Sequence, residues 1–135
     1  MRALTSPTRH IFFTGKGGVG KTSTSCAVAV ALADGGSRVL LVSTDPASNI
    51  DEVFATELAK APTPIAAVPR LHAVNVDTKA AADAYRERVV GPYRALLPPD
   101  AVASIDEQLA GACTVEIAAF DEFAKLIGDP ALTAA

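Results

Sequence analysis

The stretch Gly15-Lys16-Gly17-Gly18-Val19-Gly20-Lys21-Thr22 fits the pattern G-x-x-x-x-G-K-[ST] without a mismatch, and no other feature limits the fold as strongly. The pattern works only between a strand and a helix. The apolar run His10-Ile11-Phe12-Phe13-Thr14 leads in as a candidate buried strand over about 9–14, and a helix-like run from Thr22 to Ala33 leads out. Gly15, Gly17, Gly18 and Gly20 remove Cβ atoms, so the backbone can curl around a phosphate and point successive N–H groups inward. A helix starting near Thr22 adds its positive end to the same spot. Lys21 can reach the β- and γ-phosphates, and the Thr22 hydroxyl can ligate the Mg²⁺ that bridges them. The nucleotide-contacting stretch is therefore Gly15 through Ser23, and the chain is expected to hold a nucleoside triphosphate.

Composition narrows the setting. The 135 residues allow one domain at most, and with 50% hydrophobic residues a core can form. Trp is absent and aromatics are few, so that core rests on Ala, Val, Leu and Ile. The formal net charge of −3 and the scattered Lys and Arg leave no nucleic-acid footprint. Cys26 and Cys113 lie far apart with no C-x-x-C spacing, which argues against a disulfide framework and a structural zinc site. No apolar run approaches the ~18 residues that span a bilayer, and the first nine residues have no signal-peptide core. A soluble, cytoplasmic protein is expected.

Along the chain, residues 1–8 read as a flexible lead-in, and residues 9–135 as part of a phosphate-loop domain. The first helix, about 21–33, stops at Asp34-Gly35-Gly36, with Ala27, Val28, Ala31 and Leu32 on its apolar side. Cys26 within it packs as a small hydrophobe. Arg38-Val39-Leu40-Leu41-Val42-Ser43 reads as a strand of a parallel sheet buried on both faces. Ser43-Thr44-Asp45-Pro46-Ala47-Ser48-Asn49 follows, and Pro46 keeps Asp45 out of the helical region, in a loop at a strand's carboxyl end. Ligands of open α/β sheets bind at that edge, yet Asp45 could equally cap a helix beginning near Asn49 or Ile50. Residues 50–60 read as a short helix, 61–69 as a Pro- and Ala-rich connector, and 71–77 as a third strand with His72 at the surface. Thr78 opens a helix bearing Ala82, Tyr85, Val89, Leu96 and Leu97, which Gly91-Pro92 should split. Asp100 can cap another helix, and a last one over about 114–127 carries Ile117, Phe120, Phe123, Ala124, Leu126 and Ile127 as its apolar set. Cys113 then stands at a helix N-terminus. Such a position favours anionic groups, and thiolate is the form that binds soft metals and metalloids, although a lone cysteine more often packs.

A phosphate-loop hydrolase needs a second acid at the end of another apolar strand, and none follows residue 77. The residues alone thus predict the front part of such a domain.

Two further stretches give a resemblance. Lys16, at the second position of the loop, looks like the deviant phosphate loop of a dimeric ATPase class. That class includes arsenical pump-driving ATPases, tail-anchored-protein targeting ATPases, nitrogenase iron protein and the division and partition ATPases. The Ser43 to Asn49 stretch is similar to switch I of the first two groups. Leu109-Ala110-Gly111-Ala112-Cys113-Thr114-Val115-Glu116-Ile117-Ala118-Ala119-Phe120-Asp121-Glu122-Phe123 resembles the arsenical pump-driving ATPase family, and the likeness covers about residues 10–130.

The resemblance implies a three-layer α/β sandwich with a parallel sheet, here incomplete, within a protein of two homologous nucleotide-binding halves. It implies Mg²⁺-dependent ATP hydrolysis that drives arsenite or antimonite extrusion through a membrane pump subunit, from the inner face of the cell membrane. In that scheme Asp45 orients the attacking water, Lys16 reaches across to the nucleotide of the opposed half, and Lys21 holds the phosphates. Thr22 holds Mg²⁺, and Cys113 is one of the thiols that take As(III) or Sb(III) as an allosteric ligand. The rival readings are a targeting ATPase, whose Met-rich groove is missing from a chain with one Met, and a fragment that at most binds nucleotide.

Overall fold

A strand persists only where its backbone N–H and C=O groups find partners in a neighbouring strand, and that requirement decides which apolar runs become sheet. In the structure, a computed structural model that describes residues 7–45 and 47–130, the chain divides into two compact units. Most of the expected flexible lead-in, and Pro46, lie outside the described residues.

The sheet unit contains α1 (Lys21–Asp34), β1 (Val39–Ser43), α2 (Ile50–Phe54), β2 (Thr63–Pro64) and β3 (Leu71–Asn75). Its strand order is β1-β3-β2. β1 and β3 run parallel in the register Val39↔Leu71 to Ser43↔Asn75, as the apolar runs predict. The sheet is nonetheless mixed, because β2 joins β3 antiparallel with Thr63 opposite Ala73. Two residues inside a Pro-rich connector give no periodicity to read. Pro64 is tolerated there because an edge strand needs only one side of its backbone paired.

The core of this unit joins Cys26, Ala29 and Ala33 of α1 to Leu41, Ile50, Ile65, Leu71 and Ala73. Ile50 and Leu71, 2% and 1% exposed, carry large shares of it, roughly 1.5–3 kcal/mol each. The buried side of α1 therefore differs from the expected one: Val28 is buried, but Ala27 and Ala31 face solvent. A helix so rich in small apolar residues has little contrast between its faces. α1 ends as predicted at the glycine pair. Gly36 takes a left-handed φ of 95°, Ser37 N–H donates to Leu32 O at 3.0 Å, and Gly36 N–H donates to Ala33 O. That closure satisfies carbonyls the helix leaves open.

Several expectations fail for physical reasons. His10–Thr14 forms no strand and Phe12 is 64% exposed, since no described strand runs beside the segment to complete a ladder. β1 is half-buried rather than covered on both faces. The helix expected over 50–60 stops at Phe54, where Ala55 turns left-handed at φ 48° and Thr56 N–H donates to Asp51 O. β3 ends at Asn75 rather than at residue 77, because Asp77 is taken as a helix cap.

The helical unit takes in residues 76–130 together with Thr44 and Asp45. α3 (Thr78–Val90) begins with the Asp77 carboxylate accepting from Ala80 N–H at 2.9 Å. Gly91-Pro92 splits the pattern as expected, turning it into a 3-10 turn over Gly91–Tyr93. α4 (Pro99–Gln108) has Pro98 at its cap, so Asp100 lies in the first turn instead of capping. α5 (Ala112–Gly128) packs on α3 through Ala81, Ala82 and Ala118, with Tyr85 and Val115 beside them. Small side chains let the two helix axes approach closely. This choice turns Ile117 and Phe120, both expected in the core, to solvent at 53% and 67% exposure.

Charge pairs flank that contact. Arg88 reaches Asp121 at 3.1 Å and Lys125 reaches it at 3.2 Å. The Lys125 ammonium first, and the Arg88 guanidinium second, hold the Asp121 carboxyl below its ordinary value. A carboxyl with a depressed folded value stabilises the fold above its unfolded value of about 3.9 and loses that contribution as pH falls through the folded value. The urea midpoint of the wild-type chain should therefore drop on acidification below about pH 4. Asp121→Asn should show a lower midpoint at neutral pH and a shallower acid-side fall; an equally steep fall would contradict this role.

Candidate phosphate-binding site

Gly18 and Gly20 take φ values of 76° and 82°, a region that other residues enter only under strain. The two glycines turn the chain into α1, whose cap residue is Gly20 itself. No side chain caps this helix and its first turn holds no acid. The first helical bond runs from Thr24 N–H to Gly20 O at 2.9 Å, so the N–H groups of Thr22 and Ser23 have no acceptor within the helix. An anion placed there would meet both the donors and the positive end of the helix macrodipole.

A Cβ added at Gly17, Gly18 or Gly20 would meet nothing within 4 Å. Space beside the loop is thus open, as a phosphate cradle requires. Gly15 has a different reason to be glycine: its Cβ would stand 3.0 Å from Val19 Cγ2. Lys21 Nζ donates to the Lys16 carbonyl at 3.1 Å, which folds the ammonium back over the loop. Ser25 Oγ donates to Thr22 O at 3.0 Å and steadies the first turn. Lys16 and Ser23 are exposed, and Thr22 is half-buried. Gly15 through Ser23 thus form one continuous surface of the sheet unit. Its donor set, backbone N–H groups with two lysines and a hydroxyl, fits a polyphosphate and a Mg²⁺ held through Thr22.

The other predicted residues stand elsewhere in the chain. Asp45 is exposed in the loop that follows β1. The cap position of α2 is taken by Asn49, so capping that helix is not the role of Asp45. Cys113 is exposed in the first turn of α5, as predicted, behind a Gly111 cap that supplies no side chain. Among the described residues no group of three or more His, Cys, Asp or Glu side chains could hold a metal ion, so Cys113 offers a single thiol. Cys26 is 3% exposed, and burial pushes its thiol above the ordinary value. His72 lies exposed on β3, as expected for a surface histidine.

Sequence patterns do not flag two further polar groups. Ser48 Oγ and Asn75 Oδ1 are buried without a hydrogen-bond partner. Asn75 ends β3 opposite Ser43, on the carboxyl edge where open sheets place ligands. Only that strand-end position could have drawn attention to it.

Comparison with known proteins bears on the loop and on the stretch around Cys113 alike. A family model described as an anion-transporting ATPase matches residues 8–132. An arsenical pump-driving ATPase of Escherichia coli is 56% identical over 132 residues, covering 98% of this chain and 23% of that protein. One from Acidiphilium multivorum matches equally, at 56% identity over the same shares. An ATPase ASNA1 homolog of Dictyostelium discoideum is 35% identical over 127 residues, which is 93% of this chain and 39% of that protein. The chain therefore spans about a quarter of the length of the two bacterial relatives. No helix among the described residues is long and apolar enough to cross a membrane.

The two thiols should differ sharply in reactivity. In the folded chain one equivalent of thiol reagent should react quickly, at Cys113, and the second only on unfolding, because a protonated buried thiol is inert. Peptide mapping after a short pulse of iodoacetamide checks this. Equal labelling of Cys26 would contradict the packing of α1 described above.

Proposed function

The chain belongs to the anion-transporting ATPase family, a family of phosphate-loop NTPases, and from that premise we propose that it supplies the nucleotide-binding front of an ATPase that drives arsenite or antimonite extrusion. The observation that carries this reading is the left-handed turn at Gly18 and Gly20 feeding an uncapped helix start. Backbone N–H groups from Gly17 to Lys21 and the Lys21 ammonium bind the phosphates. Thr22 would hold Mg²⁺, which when bound neutralises charge on the β- and γ-phosphates. Asp45 orients a water for in-line attack on the γ-phosphate, and Lys16 serves the nucleotide of an opposed homologous half. Electrostatic stabilisation of this kind, and not covalent chemistry, is what phosphoryl transfer asks of a protein.

The exposed Cys113 thiol takes As(III) or Sb(III) together with thiols from outside this chain, and binding there favours closure of the two halves. This is allosteric in the strict sense, since metalloid and nucleotide occupy different sites. The partner is a membrane-embedded pump subunit, and the ATPase works from the cytoplasm at the inner face of the membrane. A second reading is favoured by one observation, the missing ladder at His10–Thr14. With the strand ahead of the loop unsupported, the 135-residue chain by itself binds nucleotide weakly and does not turn it over. Phosphate-release assays of the purified chain, with and without arsenite, separate the two readings.

Lys21→Ala should lower ATP affinity about 100-fold, the scale of losing a charge-assisted contact, in a fluorescent-nucleotide titration. Where turnover is measurable, Asp45→Asn should leave nucleotide binding near wild type and cut kcat about 10²- to 10⁴-fold. Full turnover in the Asp45→Asn protein would remove Asp45 from the mechanism.

A further inference from the structure

The sheet has two edges, and only one of them carries a protective residue. β2 forms one edge with two residues, Thr63 and Pro64, and a proline offers an incoming strand no N–H. β1 forms the other. Among the described residues it pairs with β3 alone, and Val39-Leu40-Leu41-Val42-Ser43 contains no charge, proline or glycine. Val39 N–H donates to Arg70 O at 2.9 Å, so the alternation of a parallel ladder turns the backbone groups of Val39 and Leu41 toward β3. The N–H and C=O groups of Leu40 and Val42 therefore point away from β3, along the free edge, and both residues are partly exposed.

These groups match a second β1 running antiparallel. With Leu41 on a two-fold axis, Leu40 and Val42 of the second copy form a hydrogen-bonded pair that exchanges both of its bonds, and symmetry repeats the exchange. This two-fold register uses both outward residues within β1. It also sets Leu41 against its own copy and Leu40 beside Val42 of the second copy, so the cross-strand neighbours are apolar. Arg38 precedes β1 and Asp45 follows it, both exposed. Antiparallel pairing brings the cationic flank of each copy to the acidic flank of the other, whereas an in-register parallel pairing would align like charges.

We propose that the free edge of β1 is a self-association surface, on which a second copy of this chain adds its own β1 antiparallel and joins two three-stranded sheets into one. No residue of the phosphate loop enters this contact, so its failure would leave the nucleotide reading untouched. Five residues a side bury far less than the ~1,200 Å² of a stable interface, so the pairing is transient, with a dissociation constant of roughly 0.1 mM.

The test is amide hydrogen exchange of the ¹⁵N-labelled 135-residue chain at about 10 µM and about 1 mM, either side of that constant, with sedimentation velocity on the same samples. The chain should be mostly monomer at the lower concentration and mostly dimer at the higher, where exchange at Leu40 and Val42 should slow about fourfold. A half-¹³C-labelled sample should give a filtered NOE between the Leu41 Hα protons of the two copies, which approach closely in a non-hydrogen-bonded pair. Val42→Pro removes an outward N–H and spares the β3 ladder, so its β3 amides should match wild type at the lower concentration while the chain stays monomeric at the higher. Leu40→Lys should block pairing by a different route, a charge on the edge. Arg38→Glu should weaken it about threefold, the scale of an exposed ion pair. A chain still monomeric at the higher concentration, or dimers that persist in both Val42→Pro and Leu40→Lys, would overturn the proposal. So would a dimer without the Leu41 contact, or equal protection of Leu40 and Val42 at both concentrations, as cover by His10–Thr14 of the same chain would give.

Discussion

The start of a helix carries N–H groups that its own backbone cannot satisfy, and in this chain α1 meets that constraint without a capping side chain. Most helices place Ser, Thr, Asp or Asn at the cap to accept from those donors. Here Gly20 stands at the cap in a left-handed conformation and the first turn contains no acid. Donors and helix dipole are left for an outside anion, and the open space beside Gly17, Gly18 and Gly20 gives it room. Lys21 folds over the same loop through its bond to the Lys16 carbonyl. The sheet unit serves this arrangement: Cys26, Ala29 and Ala33 fix α1 against the core, and the glycine pair ends it cleanly.

The same need for backbone partners explains where the fold departs from its sequence pattern. His10–Thr14 has an apolar centre, Ile11-Phe12-Phe13, as β1 does, but β1 has β3 beside it and the earlier segment has no ladder among the described residues. Sequence shows that a segment suits a strand; it does not show whether a neighbour is present. β2 is the converse case, since Thr63-Pro64 has no strand signature yet pairs with β3 because the turn over 65–70 brings it there. α5 teaches a related lesson about faces. Two of its large apolar side chains, Ile117 and Phe120, face solvent, while Ala118 packs on Ala81 and Ala82 and the small Thr114 and Ala119 are also buried.

The candidate site was more legible than the fold around it. A phosphate loop is local, so eight consecutive residues state its chemistry, and its geometry follows from glycine conformations and a helix start. Cys113 was legible for the same reason, as a residue at the start of a helix, and so was the Gly91-Pro92 break. Groups defined by distant packing were not. The unsatisfied Nε of Arg86 and the buried oxygens of Ser48 and Asn75 depend on which surfaces meet, and no spacing in the chain encodes that. The family match spans residues 8–132, so the loop and the Cys113 stretch fall within one match.

The central claim is that the uncapped start of α1 and the glycine loop ahead of it form a polyphosphate site. Amide chemical shifts of the ¹⁵N-labelled chain, followed during titration with ATP and Mg²⁺, test it at the level of single N–H groups. Large saturable shifts confined to Gly15 through Ser23 are expected, as these amides donate to a new acceptor, and smaller ones with adenosine alone. Unchanged amides in that stretch, or equal shifts with adenosine, would contradict it.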